Sequence, residues 1–369
     1  MHRNDDSTLG GAWLRGLGWA LVLGTGLLAA TQALAGSDER RGTAGASELQ
    51  IPVGARGTAL GGAVVSDITG VEAMYWNPAG LAGIAETEAL FTHTQYFADM
   101  RINYAGVATR AGSFGTVGIA AKILSVGDVI VTTEQAPDGT GEILHPRFSV
   151  LGLSWGRAFT DRVNFGATVN YVHEEVANNV ANGVAFDFGV QYGTNWHGFR
   201  FGVAVKNIGT TMEFSGPGLD LAVHDPASDP NANPRVLDYS VARSEMPSFV
   251  VLSTSAVVAR SPQYRLVALA TFQNNNFSGD QVRGGVEWWY RDLVALRGSY
   301  FGTFNGTTDA TGDETFKFKS GDDLYSGAAL GAGISTRLGE VSKIGVDMSW
   351  RPVRSQFDDV VDIGVRLGF

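Results

Sequence analysis

From Val361 to Phe369 an apolar side chain recurs at every second position: Val361, Ile363, Val365, Leu367 and Phe369 alternate with Asp362, Gly364, Arg366 and Gly368. Successive side chains of a strand point to opposite faces, so this segment has one greasy face and one polar or bare face. A wall with lipid outside and water inside requires that division. It must also close on itself, because an open sheet edge in lipid would leave backbone N–H and C=O groups without partners. The last strand therefore predicts an all-β fold, a transmembrane antiparallel β-barrel, in preference to a soluble sandwich or solenoid.

The other end of the chain agrees. Arg3 and Arg15 precede an apolar run from Leu17 to Ala30, and Ala33-Leu34-Ala35 supplies a small-x-small cleavage site, so residues 1–35 read as a secretory signal peptide. That run falls short of the roughly 20 apolar residues a helix needs to cross a bilayer, and no later stretch approaches it. Any crossing after export must use strands. With 49 glycines, 10% aromatic residues, only 17% charged residues and a mean hydropathy of +0.02, the chain suits many short amphipathic strands. The absence of cysteine removes disulfides and every thiol mechanism. A net charge of −10 argues against nucleic acid as a partner.

From residue 86 to the end the chain divides into about fourteen alternating segments, within the range of bacterial barrels. Phe165, Ala167, Val169 and Tyr171 oppose Asn164, Gly166, Thr168 and Asn170; Val184, Phe186, Phe188 and Val190 oppose Ala185, Asp187, Gly189 and Gln191. The same holds for Phe201, Val203 and Val205 against Gly202, Ala204 and Lys206, and for Ile344, Val346, Met348 and Trp350 against Gly345, Asp347 and Ser349. Segments near 88–97, 249–258 and 264–272 are apolar or mixed on both faces, and alternation assigns them no register. Short turns are expected at Thr160-Asp161, Asn195-Trp196-His197, Ser261-Pro262, Arg291-Asp292 and Gly339-Glu340, with longer links at 128–146, 174–182, 209–246 and 303–325. In outer-membrane barrels the short turns are periplasmic, which puts the C-terminus on that side. Aromatics beside the turns, such as Trp155, Phe159, Tyr192, Trp196, Trp288 to Tyr290, Tyr300, Phe301 and Trp350, suit the two headgroup levels.

Catalysis and metal binding find no support. Gly152-Leu153-Ser154-Trp155-Gly156 matches the G-x-S-x-G pattern, but a nucleophile elbow needs a strand-to-helix turn and Ser154 lies within a strand. The histidines at 93, 145, 173, 197 and 224 lack metal-ligand spacing, and the acidic links 209–246 and 303–325 lack a calcium-loop spacing. No cofactor is expected.

Residues 36–85 behave differently. Ile51-Pro52-Val53-Gly54-Ala55-Arg56, Ala59-Leu60-Gly61-Gly62-Ala63 and Ala73-Met74-Tyr75-Trp76-Asn77-Pro78-Ala79-Gly80-Leu81 do not alternate and are rich in small and turn-forming residues. Asn77 before Pro78 is a helix start: the Asn side chain accepts from a free N–H, and Pro presets φ where no donor is needed. Gly54 to Asp67 is expected to form a short helix. Together they predict a short helical hatch inside the barrel of residues 86–369. This signature resembles the N-terminus of the PorV/PorQ family of outer-membrane proteins, which is similar in fold to the FadL long-chain fatty acid channels. The resemblance implies an outer-membrane location, about fourteen strands and a hatch carrying Trp76, Asn77, Pro78, Ala79 and Gly80. It also implies one of two roles. PorV-like members are accessory barrels of type IX secretion, engaging a translocon or exported cargo, here through external loops 128–146, 209–246 and 303–325. FadL-like members pass hydrophobic small molecules.

The inward faces weigh on that choice. Their charges are Lys122, Asp187, Arg200, Lys206, Arg283, Glu287, Asp347, Asp362 and Arg366, and much of the rest is glycine: Gly152, Gly166, Gly189, Gly202, Gly285, Gly331, Gly333, Gly345 and Gly364. Interior glycines mark close approach of another backbone, which predicts a hatch packed against this wall and charges paired across it. No continuous apolar lining is traceable, except that the strands of unassigned register are able to supply one. On that basis a secretion role with a protein partner leads, and a channel for apolar solutes stands second.

Overall fold

The computed structural model describes residues 40–369 apart from 195, 197, 224–234, 309–313, 323, 339–341 and 355–356. The signal-peptide segment 1–35, the Gly339-Glu340 turn and parts of links 209–246 and 303–325 fall outside the described residues, as do His197 and His224.

Fourteen strands form one closed antiparallel ring. They are β1 Thr87–Gln95, β2 Arg101–Arg110, β3 Thr116–Ser125, β4 Arg147–Ala158, β5 Val163–Val176, β6 Asn179–Gly193 and β7 Arg200–Gly209, followed by β8 Phe249–Arg260, β9 Tyr264–Asn275, β10 Asp280–Tyr290, β11 Val294–Thr308, β12 Ala328–Leu338, β13 Ser342–Arg351 and β14 Val360–Gly368. Each strand pairs with its neighbours in sequence, and β14 returns to β1 from Glu88↔Gly368 to Gln95↔Val361. Closure gives every strand two partners, which is what a sheet in hydrocarbon needs. Leu153 (63% exposed), Ile334 (58%) and Ile363 (46%) stand on the outer face with most of the alternating apolar residues, so the exterior is a band for acyl chains. No helix among the described residues is long and apolar enough to cross a membrane.

The ladder settles the registers that alternation left open. In β1, Leu90, Thr92 and Thr94 turn inward; in β8, Phe249, Val251, Ser253 and Ser255 do so; in β9, Val267, Leu269, Thr271 and Gln273. These strands carry apolar residues on both faces because their inner sides meet a hatch or a cavity rather than open water.

Some expectations need correction. The link at 174–182 is a tight hairpin, with β5 running to Val176, β6 starting at Asn179 and Ala177 in the left-handed region (φ 53°). Parts of links 209–246 and 303–325 are themselves strand: Asp220–Val223 pairs with Arg235–Asp238, and Glu314–Ser320 folds back on β11. Trp289 and Phe301 do not join the outer aromatic belts. Their positions in β10 and β11 have the parity of Glu287 and Arg297, and Phe301 is buried in the interior. Trp288 stacks with Tyr290 on the lipid side, and Trp155 packs with Phe114, Phe159 and Phe165 beside the β4–β5 turn.

Ahead of β1 lie a 3₁₀ turn Ser47–Gln50, α1 Ala55–Ala59, α2 Ala73–Trp76 and a 3₁₀ turn Pro78–Gly83. The helix expected over Gly54 to Asp67 is only α1 followed by turns, since Gly61 and Gly62 both take positive φ (61° and 80°) and break its repeat. Ala59, Leu60, Ala63, Val64, Ile68, Val71, Ala73, Ala79 and Leu81 are all completely buried, so this small-residue segment is the packed interior of the barrel.

Candidate functional site

The hatch is held by the bare strip of the wall. A Cβ on Gly166 of β5 would lie 2.2 Å from the Pro78 carbonyl carbon, one on Gly202 of β7 2.6 Å from Ser66 Cα, and one on Gly189 of β6 1.9 Å from Asn77 Oδ1. A Cβ on Gly331 would meet Ala59 Cβ at 2.4 Å, and one on Gly285 would come to 3.3 Å of Leu60. Gly333, Gly345 and Gly364 face neighbouring wall side chains instead, with Gly333 making room for Asp347.

Polar contacts fix the hatch's turns. Asn77 Oδ1 accepts from the Ala79 N–H (3.1 Å), and its Nδ2 donates to the carbonyls of Val65 (2.8 Å) and of Val190 in β6 (3.2 Å). Pro78 opens the following 3₁₀ turn, as the Asn-Pro pair predicts. Trp76 donates its indole N–H to Val53 O (3.0 Å), and Glu72 accepts from Gly57 N–H (2.7 Å) at the start of α1. Ala79 is buried against the same wall, and a Cβ on Gly80 would meet Ile68 O at 2.2 Å. Wall side chains reach in as well: Gln191 donates to Val65 O (3.1 Å) and Ile68 O (2.9 Å), and Ser299 to Ala59 O (2.9 Å).

Charges pair across this interface in one alternating chain. Arg56 donates from Nε to Glu287 Oε1 (2.9 Å), and from Nη2 to Glu287 Oε2 (2.8 Å) and Asp67 Oδ2 (3.0 Å). Arg200 meets the other Asp67 oxygen (3.0 Å). Arg297 joins Glu287 (2.7 Å) to Asp347 (2.6 Å), and Arg366 approaches Asp347 at 3.5 Å. Four of the inward charges read from the sequence thus share a network with Arg56 and Asp67 of the hatch. Arg297 was missed there. Its signal was parity in Val294 to Tyr300, where Ala295, Arg297 and Ser299 alternate with Val294, Leu296, Gly298 and Tyr300. Asp187 and Lys206 form a separate buried pair at 3.4 Å, beside a bulge where β7 inserts Asn207 (φ 58°), whose N–H donates to Asp187 (2.7 Å). Asp362 is completely buried, with Thr58 Oγ1 at 3.4 Å from its Oδ2.

Residues 44–52 cover the hatch on the side of the longer loops. Lys122 of β3 donates to the carbonyls of Glu48 and Ile51, and Glu174 of β5 accepts from Ala46 N–H (3.1 Å). The Glu48 carboxyl is buried next to that of Glu174. Burial first, and the Glu174 charge second, push it up from 4.5 to about 8.

A cavity of about 530 Å³ opens above the hatch. Its floor is Thr58, Gly61, Gly62, Val65, Tyr75 and Trp76, and its walls include Phe249, Val251, Phe301 and Tyr325. Two cations stand over rings, Lys206 Nζ 4.1 Å from the Tyr75 centroid and Arg351 4.1 Å from that of Tyr325. Tyr325 accepts from Arg351 (3.0 Å) and shares a hydrogen bond with Tyr96 (3.0 Å). Burial holds the Tyr75, Tyr96 and Tyr325 phenols above their usual range, so they stay neutral. A second cavity of about 810 Å³ opens at the short-turn end, between Asp67, Arg200, Arg260, Arg265 and Arg291. Hatch residues 58–67 touch both spaces.

Ser154, in the G-x-S-x-G match, is buried mid-strand and hydrogen-bonded to Thr168 (2.7 Å), with a strand continuing beyond it. Among the described residues no three His, Asp or Glu side chains gather as a metal-ligand set.

No family model matches this chain, and no curated protein matches it in sequence. Solved structures share its fold. The chain resembles the CymD monoaromatic hydrocarbon channel with a TM-score of 0.52 at 12% identity, over 86% of this chain and 97% of that one. It resembles the Pseudomonas putida toluene transporter TodX with a TM-score of 0.52 at 12% identity, over 84% and 96%. These likenesses show the fold, a fourteen-strand barrel shared with CymD and TodX, and nothing in them singles out PorV/PorQ.

Proposed function

We propose that this protein is a non-enzymatic outer-membrane channel for small hydrophobic compounds, the second of the two roles weighed from the sequence. The observation that carries it is the cavity above the hatch. Phe249 and Val251 of β8 and Phe301 of β11, with Tyr75 and Trp76 of the hatch, supply the apolar lining that alternation failed to trace. Pockets for small molecules have this make-up, mostly apolar walls with a few placed polar groups. The shared fold with CymD and TodX, channels for monoaromatic hydrocarbons and toluene by their descriptions, supports the same reading. The hatch then acts as the gate between the two cavities. Uptake of toluene by cells lacking their own arene channels tests it. Expression of this barrel should accelerate uptake, and a rate equal to that of an empty-vector strain would sink the idea.

The type IX secretion role rests on the N-terminal signature alone. Its support would be a translocon component or secreted cargo recovered with the barrel through loops 128–146, 209–246 or 303–325.

A further inference from the structure

The chain carries a net charge of −10, yet among the described residues the wall of the upper cavity sets Lys206, Arg283 and Arg351 beside Asp322. Among the described residues, two of these cations, Arg283 and Arg351, have no carboxylate within ion-pair distance, the partner that buried charges ordinarily have. Lys206 is balanced by Asp187. Among the described residues Arg351, 7% exposed, donates to the Tyr325 hydroxyl and Arg283 to Gln281, and the buried Nε–H of each meets no acceptor. Both guanidiniums line the one cavity, where like charges oppose each other. Asp322 spends one carboxylate oxygen on the N–H groups of Leu324 (2.9 Å) and Tyr325 (2.6 Å). Arg283 is wedged against the hatch, with Nη1 2.3 Å from where a Gly62 Cβ would be. A positive, donor-rich spot therefore sits on the wall of a space ringed by aromatic side chains.

The space itself suits a compact flat body. Rings of Tyr75, Trp76, Phe249, Phe301 and Tyr325 surround it, while Gln273, Asn275 and Thr303 interrupt the apolar wall on the way to the mouth. An extended alkyl chain would have to lie across those amides and that hydroxyl. A ring system finds faces and edges to pack against within a short depth.

We propose that the upper cavity binds an aromatic carboxylate, its ring held among these side chains and its carboxylate between Arg283 and Arg351. The anion supplies the acceptors that both Nε–H groups lack and relieves the repulsion between the guanidiniums. This deepens the channel reading and rests on it, but specifies an acid where that reading needs only an apolar solute.

Calorimetric titration of the full chain in lipid nanodiscs, with naphthoate, neutral naphthalenemethanol and decanoate as probes, tests the proposal. Charge-assisted hydrogen bonds predict that naphthoate binds at least about tenfold more tightly than the alcohol. The paired change Arg283→Gln with Arg351→Gln should erase that margin, so that acid and alcohol bind alike, while Arg283→Lys with Arg351→Lys should keep part of it. If the glutamine pair fails to fold, the wild-type margin and the lysine pair decide. Equal binding of acid and alcohol overturns the proposal and leaves the channel reading standing. Tighter binding of decanoate than naphthoate overturns the aromatic assignment. Binding of no probe removes both this proposal and the channel reading.

Discussion

Arg56 of the hatch grips Glu287 of β10 through both carboxylate oxygens, at 2.9 and 2.8 Å, in a site almost closed to solvent. Removing one partner of a buried, hydrogen-bonded ion pair costs about 3 to 5 kcal/mol, because the other charge is stranded. Arg297 still neutralises Glu287, so Arg56→Met is expected at the lower end, with the penalty falling on hatch docking rather than on the ring. Planar-bilayer recordings should show a higher ion conductance than wild type. Arg200→Gln, which touches only the half-exposed Arg200–Asp67 pair, should change it little, since such pairs contribute about 1 kcal/mol or less.

Gly166→Ala places a Cβ 2.2 Å from the Pro78 carbonyl carbon, which cannot step aside without moving the Asn77–Pro78 turn. Overpacking of this kind costs about 1 to 3 kcal/mol. Gly284→Ala, one strand position from Gly285 and with nothing within 4 Å of its Cβ, is the matched control. Trypsin should cut the hatch of the first variant faster than wild type and leave the second unchanged; equal digestion of all three would contradict the packing described.

The Glu48 carboxyl has a folded value of about 8, above its ordinary 4.5, so docking of residues 44–52 favours its protonated form. That contribution is complete below about pH 4.5 and is lost as pH rises through 8. Glu174 opposes ionisation and Lys122 eases it. Protection of the Ala46 and Leu49 amides in hydrogen exchange should fall between pH 5 and 9 in the wild type, after correction for the intrinsic rate. In Glu48→Gln that fall should disappear.

Val365 stands on the outer face of β14 between Phe91 and Val346. Val365→Arg should cost about 2 to 4 kcal/mol if the residue lies near mid-bilayer. Folding yield into vesicles, read as heat-modifiable mobility, measures it. A wild-type yield would mean that this face does not meet lipid.

The ring was legible from sequence wherever one face meets lipid and the other meets small or polar neighbours, as in β5, β6, β13 and β14. The code failed in β8 and β9 because Phe249, Val251, Val267 and Leu269 point into a space that is itself apolar, so period-two contrast vanishes. Those are also the strands whose lining bears on the choice between the two functional readings. Glycines such as Gly166 and Gly202 told that something packs inside, and the Asn77-Pro78 pair told where a turn begins. Which wall charge would meet Arg56 depended on strand order around the ring, information that no local pattern carries. The Trp289 and Phe301 positions misled for a related reason, since an aromatic beside a turn reads the same whether it faces headgroups or the lumen.

The seam between β1 and β14 has a consequence for how the molecule is made. The hatch comes ahead of the first strand in the chain, and the ring cannot be sealed until the last strand arrives to zip against it. A hatch already docked when that seam closes is enclosed by the wall, whereas one docked later has to enter a finished cylinder. The β1–β14 seam is thus the last joint of the ring to be made, and the one place where sealing and corking compete.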